Sequence, residues 1–247
     1  MKEKLKSFIK KGLKAYNLEV TRTNTKPTVY FEVDSEFRDL YLGAHKKTQQ
    51  LSTDNPFKQQ RHYTLMKLLG QASALIKEGN VAECGCWRGA SAYQIAHNLK
   101  RASFKNKFFI FDSFEGLSDF QKEDLKDNTV MDLAARKKEF ACPLNVVQEN
   151  LKEFDFIDYK KGWIPERFAE IDNLKFSFVH IDVDLYQPIK DSFEFFYPRM
   201  LKGGIIVFDD YGYLSFPGAK QAIDEFIEGK EDFFLPMPFG GAFIIKK

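Results

Sequence analysis

Nowhere in the 247 residues is there an uninterrupted run of eighteen apolar side chains, which a helix needs to cross a bilayer. The basic start, MKEKLKSFIKKGLKAY, is not followed by the apolar core of a secretory leader. From these two absences the expectation is a cytoplasmic protein without a transmembrane segment. Cysteine is scarce, and Cys84, Cys86 and Cys142 cannot all pair, so small buried hydrophobes are expected there rather than metal ligands or a redox pair. An excess of one charge is lacking too, because 37 basic against 35 acidic side chains leave a net charge of only +2. Such a balance offers no electrostatic footprint for nucleic acid. No repeat and no low-complexity tract is found. In the lysine-rich start, Leu5, Phe8, Ile9 and Leu13 share one helical face, and a solvated amphipathic helix on the protein's own surface is favoured over a membrane contact.

What is present is the composition of one large α/β domain, with 44% hydrophobic and 29% charged residues. Its organising stretch runs from Phe176 to Tyr211. Two apolar runs, FSFVHI and IIVF, have the length of fully buried strands and end in carboxylates, Asp182 and Asp184 after the first, Asp209 and Asp210 after the second. Between them Ile189, Phe193, Phe196, Tyr197 and Leu201 have helical spacing, and Gly203 and Gly204 are expected to close that helix. Strand, helix and parallel strand put both acidic tips on the carboxyl edge of a sheet, where open parallel sheets bind ligands. Four carboxylates at one edge repel one another unless something offsets them, and a hard divalent cation is the natural candidate.

Upstream, Asp54 or Asn55 can cap a helix whose apolar residues run from Leu65 to Ile76. Next, NVAECGCWRGASAYQIAHNLK reads as strand, glycine turn and helix, with Glu83, Gly85 and Gly89 at the turn, where a ligand can approach and a helix N-terminus offers free N–H groups. The following strand, KFFIFD, ends in Asp112, placed to hydrogen-bond a ribose diol. Residues 117–150 read as helix interrupted by loop, and FDFIDYKKGW as a third strand tip with a turn at Gly162. Near the end come a helix capped by Gly229 and a hairpin, DFFLPMPFGGAFIIKK, whose second strand is expected at the antiparallel edge. Strands and helices alternate, so the class is α/β with a doubly wound sheet. Residues 1–60 are read as an arm or lid and 61–247 as the main domain; a homodimer through the arm is the expectation for assembly.

With VAECGCWRGAS, FDSFEGL, KGWIPERF, HIDVDLYQP and GGIIVFDDYG in this order, the chain resembles the macrocin O-methyltransferase (TylF-like) family of class I S-adenosylmethionine-dependent methyltransferases. The likeness runs from about Arg61 to about Phe226. It implies a Rossmann-like fold with a seven-stranded, mostly parallel sheet and an antiparallel C-terminal hairpin, to which residues 1–60 are expected to add an N-terminal helical arm. It implies S-adenosylmethionine bound by Glu83, Gly85, Cys86, Trp87, Gly89, Ser91, Asp112 and Ser113. By position, Asp182, Asp209 and Asp210 correspond to Mg²⁺ ligands and Asp184 to the general base. The implied partner is a small-molecule hydroxyl acceptor: a sugar, a glycoside or a polysaccharide precursor.

A methyl sulfonium is already an activated electrophile, so such an enzyme has mainly to deprotonate and align the acceptor oxygen. If the strand continues past Asp182, alternation puts Asp184 on the same side, within reach of that proton. His180 shares that face and is read as a satisfied core residue or a partner of the ligands. Tyr186, Tyr211 and Trp163 are equally readable as ligand walls or as packing. Two other functions remain open at this point. The D-V-D motif at 182–184 suits a metal-dependent nucleotide-sugar glycosyltransferase, which leaves Asp209 and Asp210 without a purpose. A non-catalytic cofactor-binding module has no use for the acidic cluster, and a NAD-dependent enzyme accounts only for the cofactor half.

Overall fold

Val81, Ala82 and Cys84 carry no charge, and with Glu83 they make a strand, β1 (Asn80–Cys84), that is buried on both faces, as a central strand of a parallel sheet must be. The computed structural model describes residues 33–125, 133–213 and 216–247. On one side of β1 lie β2 (Phe108–Asp112) and then β3 (Ile157–Lys161); on the other lies β4 (Phe176–Ile181) and then β5 (Met200–Phe208), all parallel. The hairpin β6 (Phe233–Pro236) and β7 (Ala242–Ile245) completes a seven-stranded sheet of order β3-β2-β1-β4-β5-β7-β6. The strand order reverses between β1 and β4, and a ligand cleft opens at such a switch point.

The helices are α1 (Ser35–Lys47), α2 (Pro56–Leu75), α3 (Ala90–Arg101), α4 (Leu133–Glu139), α5 (Leu144–Asn150), α6 (Tyr186–Phe196) and α7 (Pro217–Ile227). One face of the sheet is covered by α1, α2, α3 and α5, whose Tyr41, Leu69, Ile95 and Val147 pack with Val81, Ile110 and Phe178. The other face carries α6 and α7, whose Phe193, Phe196 and Ile223 pack with Phe111, Val179 and Phe208. Layers on both faces are what the doubly wound reading requires. Asn55 caps α2 by accepting from Lys58 N at 2.9 Å. Its companion Asp54 instead accepts from the Tyr41 hydroxyl at 2.7 Å, which ties α2 to α1. Phe37 and Tyr41 thus belong to the same core as the sheet, and a boundary at residue 61 falls inside α2.

Two local expectations are corrected. The helix after β4 ends at Phe196, not near Gly203, because Pro198 in the turn Tyr197–Arg199 cannot continue an α-helix. Gly203 and Gly204 lie inside β5. In the hairpin the edge is β6, while β7, the second strand, lies between β5 and β6. Burial explains the order: Ala242, Phe243 and Ile244 are buried, whereas Phe233 and Leu235 are exposed. The basic stretch at 1–16 and the turn-rich 21–28 lie outside the described residues. Among the described residues no helix is long and apolar enough to cross a membrane.

Candidate active site

The turn from β1 to α3 is built by backbone more than by side chains. Gly85 has φ +80°, and a Cβ there would lie 1.8 Å from the Asp182 carbonyl oxygen. Its glycine is therefore demanded by the close approach of the loop after β4, rather than by a ligand. Gly89, at φ +90°, caps α3 where there is room for a Cβ, so conformation alone favours glycine. Two backbone N–H groups of the turn that precedes α3 are taken by Asp112. Its Oδ2 accepts from Cys86 N at 2.8 Å and Trp87 N at 3.2 Å, and its Oδ1 from Phe114 N at 2.6 Å. The Cys86 side chain lies against the same carboxylate, and Asp112 lines the cavity. Burial raises its pKa, against the pull of those backbone donors.

Gly85, Cys86, Trp87, Ser91, Asp112 and Ser113 all line one cavity of about 300 Å³ with Asp182, Asp184, Asp209 and Asp210. Gly89 is not part of its lining, and Glu83 does not reach it. That side chain is wholly buried in the sheet, with Oε1 2.9 Å from His180 Nδ1 on the neighbouring strand, where the β1–β4 register pairs the two residues. Ser113 is occupied locally, donating to Gly116 O at 2.9 Å. Trp163 lines the cavity, whereas the Tyr211 hydroxyl donates to Asp224 and the Tyr186 hydroxyl to Glu225, both as packing.

Asp182 follows β4, and Asp209 and Asp210 follow β5. The register Ile181↔Phe208 sets the strand ends level, and Asp209 N donates to Ile181 O at 3.0 Å. Asp182, Asp209 and Asp210 each offer an oxygen within 4.8 Å of the others. The alternation argument for Asp184 does not apply, because the strand stops at Ile181. Instead the chain turns sharply: Leu185 N donates to Val183 O at 2.6 Å across Asp184, which has φ +59°. That turn still brings Asp184 to the cavity, with its own N–H donating to Asp210 Oδ2 at 2.9 Å.

The cations opposite these carboxylates were missed in the sequence. Arg61 Nε lies 3.0 Å from Asp209 Oδ2 and 3.1 Å from Oδ1, and Lys58, one turn earlier on α2, lines the same cavity. A signal for them exists: basic residues in the first turns of a helix oppose its dipole, so their presence there points to a tertiary partner. Burial opposes the charge on Asp209, yet Arg61 and His180 outweigh it and hold this carboxyl well below the usual range. Asp182 and Asp210 go the other way, pushed up first by burial and then by their carboxylate neighbours. Burial likewise disfavours a charged His180, but Asp209 and Glu83 push its pKa up to about 10. Glu83 and His180 thus form an ion pair under the floor, with His180 Nε2 3.9 Å from Asp209 Oδ1. Above it, Arg61 and Lys58 offset part of the charge of Asp182, Asp184, Asp209 and Asp210.

The model of the macrocin O-methyltransferase (TylF) family matches residues 46–233. Demethyldecarbamoylnovobiocin O-methyltransferase of Streptomyces niveus is 28% identical over 155 residues, 60% of this chain and 58% of that protein. A tetracenomycin-C 4'-O-methyltransferase of Streptomyces olivaceus, named for a rhamnosyl-bearing compound, is 26% identical over 138 residues, 54% of this chain and 53% of that protein. The chain thus spans less than two thirds of the length of these relatives. The solved structure of the O-methyltransferase NovP superposes with a TM-score of 0.66 at 22% identity, covering 76% of this chain and 79% of that one, a likeness of fold.

Proposed function

The chain belongs to the macrocin O-methyltransferase family, and from that premise we propose that it transfers a methyl group from S-adenosylmethionine to a hydroxyl of a small acceptor, most simply a sugar or glycoside, with Mg²⁺ at the acidic cluster. The observation that carries this reading is the meeting of Asp182, Asp184, Asp209 and Asp210 with the glycine turn and Asp112 in one cavity. The sugar acceptor is supported by the rhamnosyl group in the name of the tetracenomycin relative.

The residues fit a hard dication. The donor set is all carboxylate oxygen gathered within 4.8 Å, the ligand type that such an ion prefers. Asp182, Asp209 and Asp210 would hold Mg²⁺, which when bound supplies a Lewis acid for the acceptor oxygen. The remaining work falls to the chain itself. Asp112, at the cavity wall, would accept from a ribose hydroxyl, and Trp87 and Trp163 supply apolar walls. Asp184, turned into the cavity, accepts the acceptor's proton as its oxygen attacks the methyl carbon; the methyl–sulfur bond breaks and the electron pair returns to sulfur. A cytoplasmic setting and a dimer built through the N-terminal arm belong to the same proposal, the latter checked by sedimentation.

The decisive experiment incubates the protein with isotope-labelled S-adenosylmethionine, Mg²⁺ and a panel of deoxysugar glycosides and nucleotide sugars. Mass spectrometry should find an acceptor heavier by the labelled methyl, and chelator should suppress the transfer. If no acceptor gains the label and calorimetry shows NAD binding more tightly than S-adenosylhomocysteine, the reading is wrong.

A further inference from the structure

Arg61 is a clamped cation rather than a swinging one. Its side chain is 8% exposed, with Nε shared between the two oxygens of Asp209. Nη1 donates to the Tyr213 hydroxyl, and the guanidinium carbon stands 4.7 Å from the centre of the Tyr213 ring. Tyr213 is fixed in turn. A Cβ on Gly240 would meet its ring at 3.2 Å, and the neighbouring Gly212 N donates to Gly240 O at 2.5 Å. Three segments distant in sequence, α2, the loop after β5 and the β6–β7 turn, thus hold one positive charge against the cluster. The same cavity holds Asp182 and Asp210, so the guanidinium faces the whole cluster.

We infer that Arg61 is the built-in counter-cation of the carboxylate cluster: it stabilises the metal-free protein and, by the same charge, weakens the binding of a divalent ion. The inference rests on the metal reading of the site. Carboxylates gathered within 4.8 Å need a cation whether or not a metal is bound. An arginine wedged against one of them meets that need permanently. The cost falls on the metal. At an effective dielectric of about 20, a guanidinium a few ångströms from a dication disfavours it by well over tenfold before solvent and side chains relax. A purely structural Arg61 predicts the opposite, since its loss would let Asp209 drift and metal affinity would fall. Charge and shape are separable, because lysine retains the first without the forked geometry.

The test uses the full-length chain with Arg61→Met and Arg61→Lys, titrated with Mn²⁺ by electron paramagnetic resonance and melted with EDTA or with Mn²⁺. Arg61→Met should bind Mn²⁺ about tenfold more tightly than wild type. It should melt lower in EDTA and recover in Mn²⁺, while Arg61→Lys stays near wild type. Binding by Arg61→Met alone also supports the inference. If wild type binds and Arg61→Met binds no tighter, or if Arg61→Lys tightens equally, the counter-cation role is overturned and the metal reading stands. If neither binds, the metal reading itself fails and the inference falls with it. Should Arg61→Met not fold, Tyr213→Phe, which frees one end of the guanidinium, replaces it in the titration. Tighter Mn²⁺ binding then supports the inference, and unchanged or weaker binding overturns it.

Discussion

Asp184 is held at φ +59°, a left-handed conformation that asparagine and aspartate tolerate better than other side chains with a Cβ. Asp184→Asn therefore keeps the turn and the N–H donated to Asp210, and removes the ability to take a proton together with one negative charge. Turnover should fall about a hundred- to ten-thousandfold, with the affinity for S-adenosylhomocysteine little changed and the affinity for metal falling less than in Asp209→Asn. Asp209→Asn touches a different function. It strips the charge that Arg61 grips at 3.0 Å, so metal binding should weaken first and excess Mg²⁺ should restore part of the rate. Rescue of Asp184→Asn by added metal would instead make Asp184 a ligand. At the same scale, Gly85 has its identity set by the Asp182 carbonyl, a contact between positions 97 residues apart that no local pattern records.

The elements were largely readable because their signals are local. Largely apolar runs announced β4 and β5, a cap at Asp54 or Asn55 announced α2, and the acidic tips announced which edge of the sheet matters. What escaped the reading depends on contacts between elements. Arg61 meets Asp209 across 148 residues, and the order of β6 and β7 follows from which strand has the apolar face to bury. Glu83 is the clearest case. Its place before a glycine turn suggested a cofactor contact, yet pairing of β1 with β4 turns it to His180. That pairing is testable between the strands. Glu83→Leu should destabilise the fold by about 3 to 5 kcal/mol, because it leaves a buried imidazolium with one partner fewer. Adding His180→Leu should recover much of that loss in denaturant titrations. A double variant no more stable than Glu83→Leu would mean that the pair is not coupled.

Across the whole molecule, the layer formed by α1, α2 and α3 contains two buried histidines, and these should set how the fold responds to acid. His45 is fully buried and stacked on Tyr41, and its Nδ1 lies 2.9 Å from the Tyr41 carbonyl, so that nitrogen carries the proton. Its Nε2 has no hydrogen-bond partner among the described residues, and a proton added there would be buried without an acceptor. Burial, with Lys58 adding repulsion, outweighs the Tyr41 carbonyl and Asp54 and pushes its pKa down to about 4; His62, 5.3 Å away and bound to Gln94 at 2.8 Å, is lowered too, chiefly by burial. The unfolded chain takes up a proton near the ordinary value of 6.5, whereas folded His45 does so only near 4. Stability is therefore full above the first value and drains away as pH falls towards the second, by about 3 kcal/mol for His45 alone. Asp182 and Asp210 act in the opposite sense, since their raised pKa values contribute stability that is lost as pH rises, so the wild-type profile is a balance of both. A difference measurement separates them: His45→Gln should melt less steeply than wild type between these two pH values, in metal-free buffer, while the carboxylate contribution cancels. Parallel melting curves for the two proteins across that window would show that His45 is not what makes the α1–α2–α3 layer sensitive to acid.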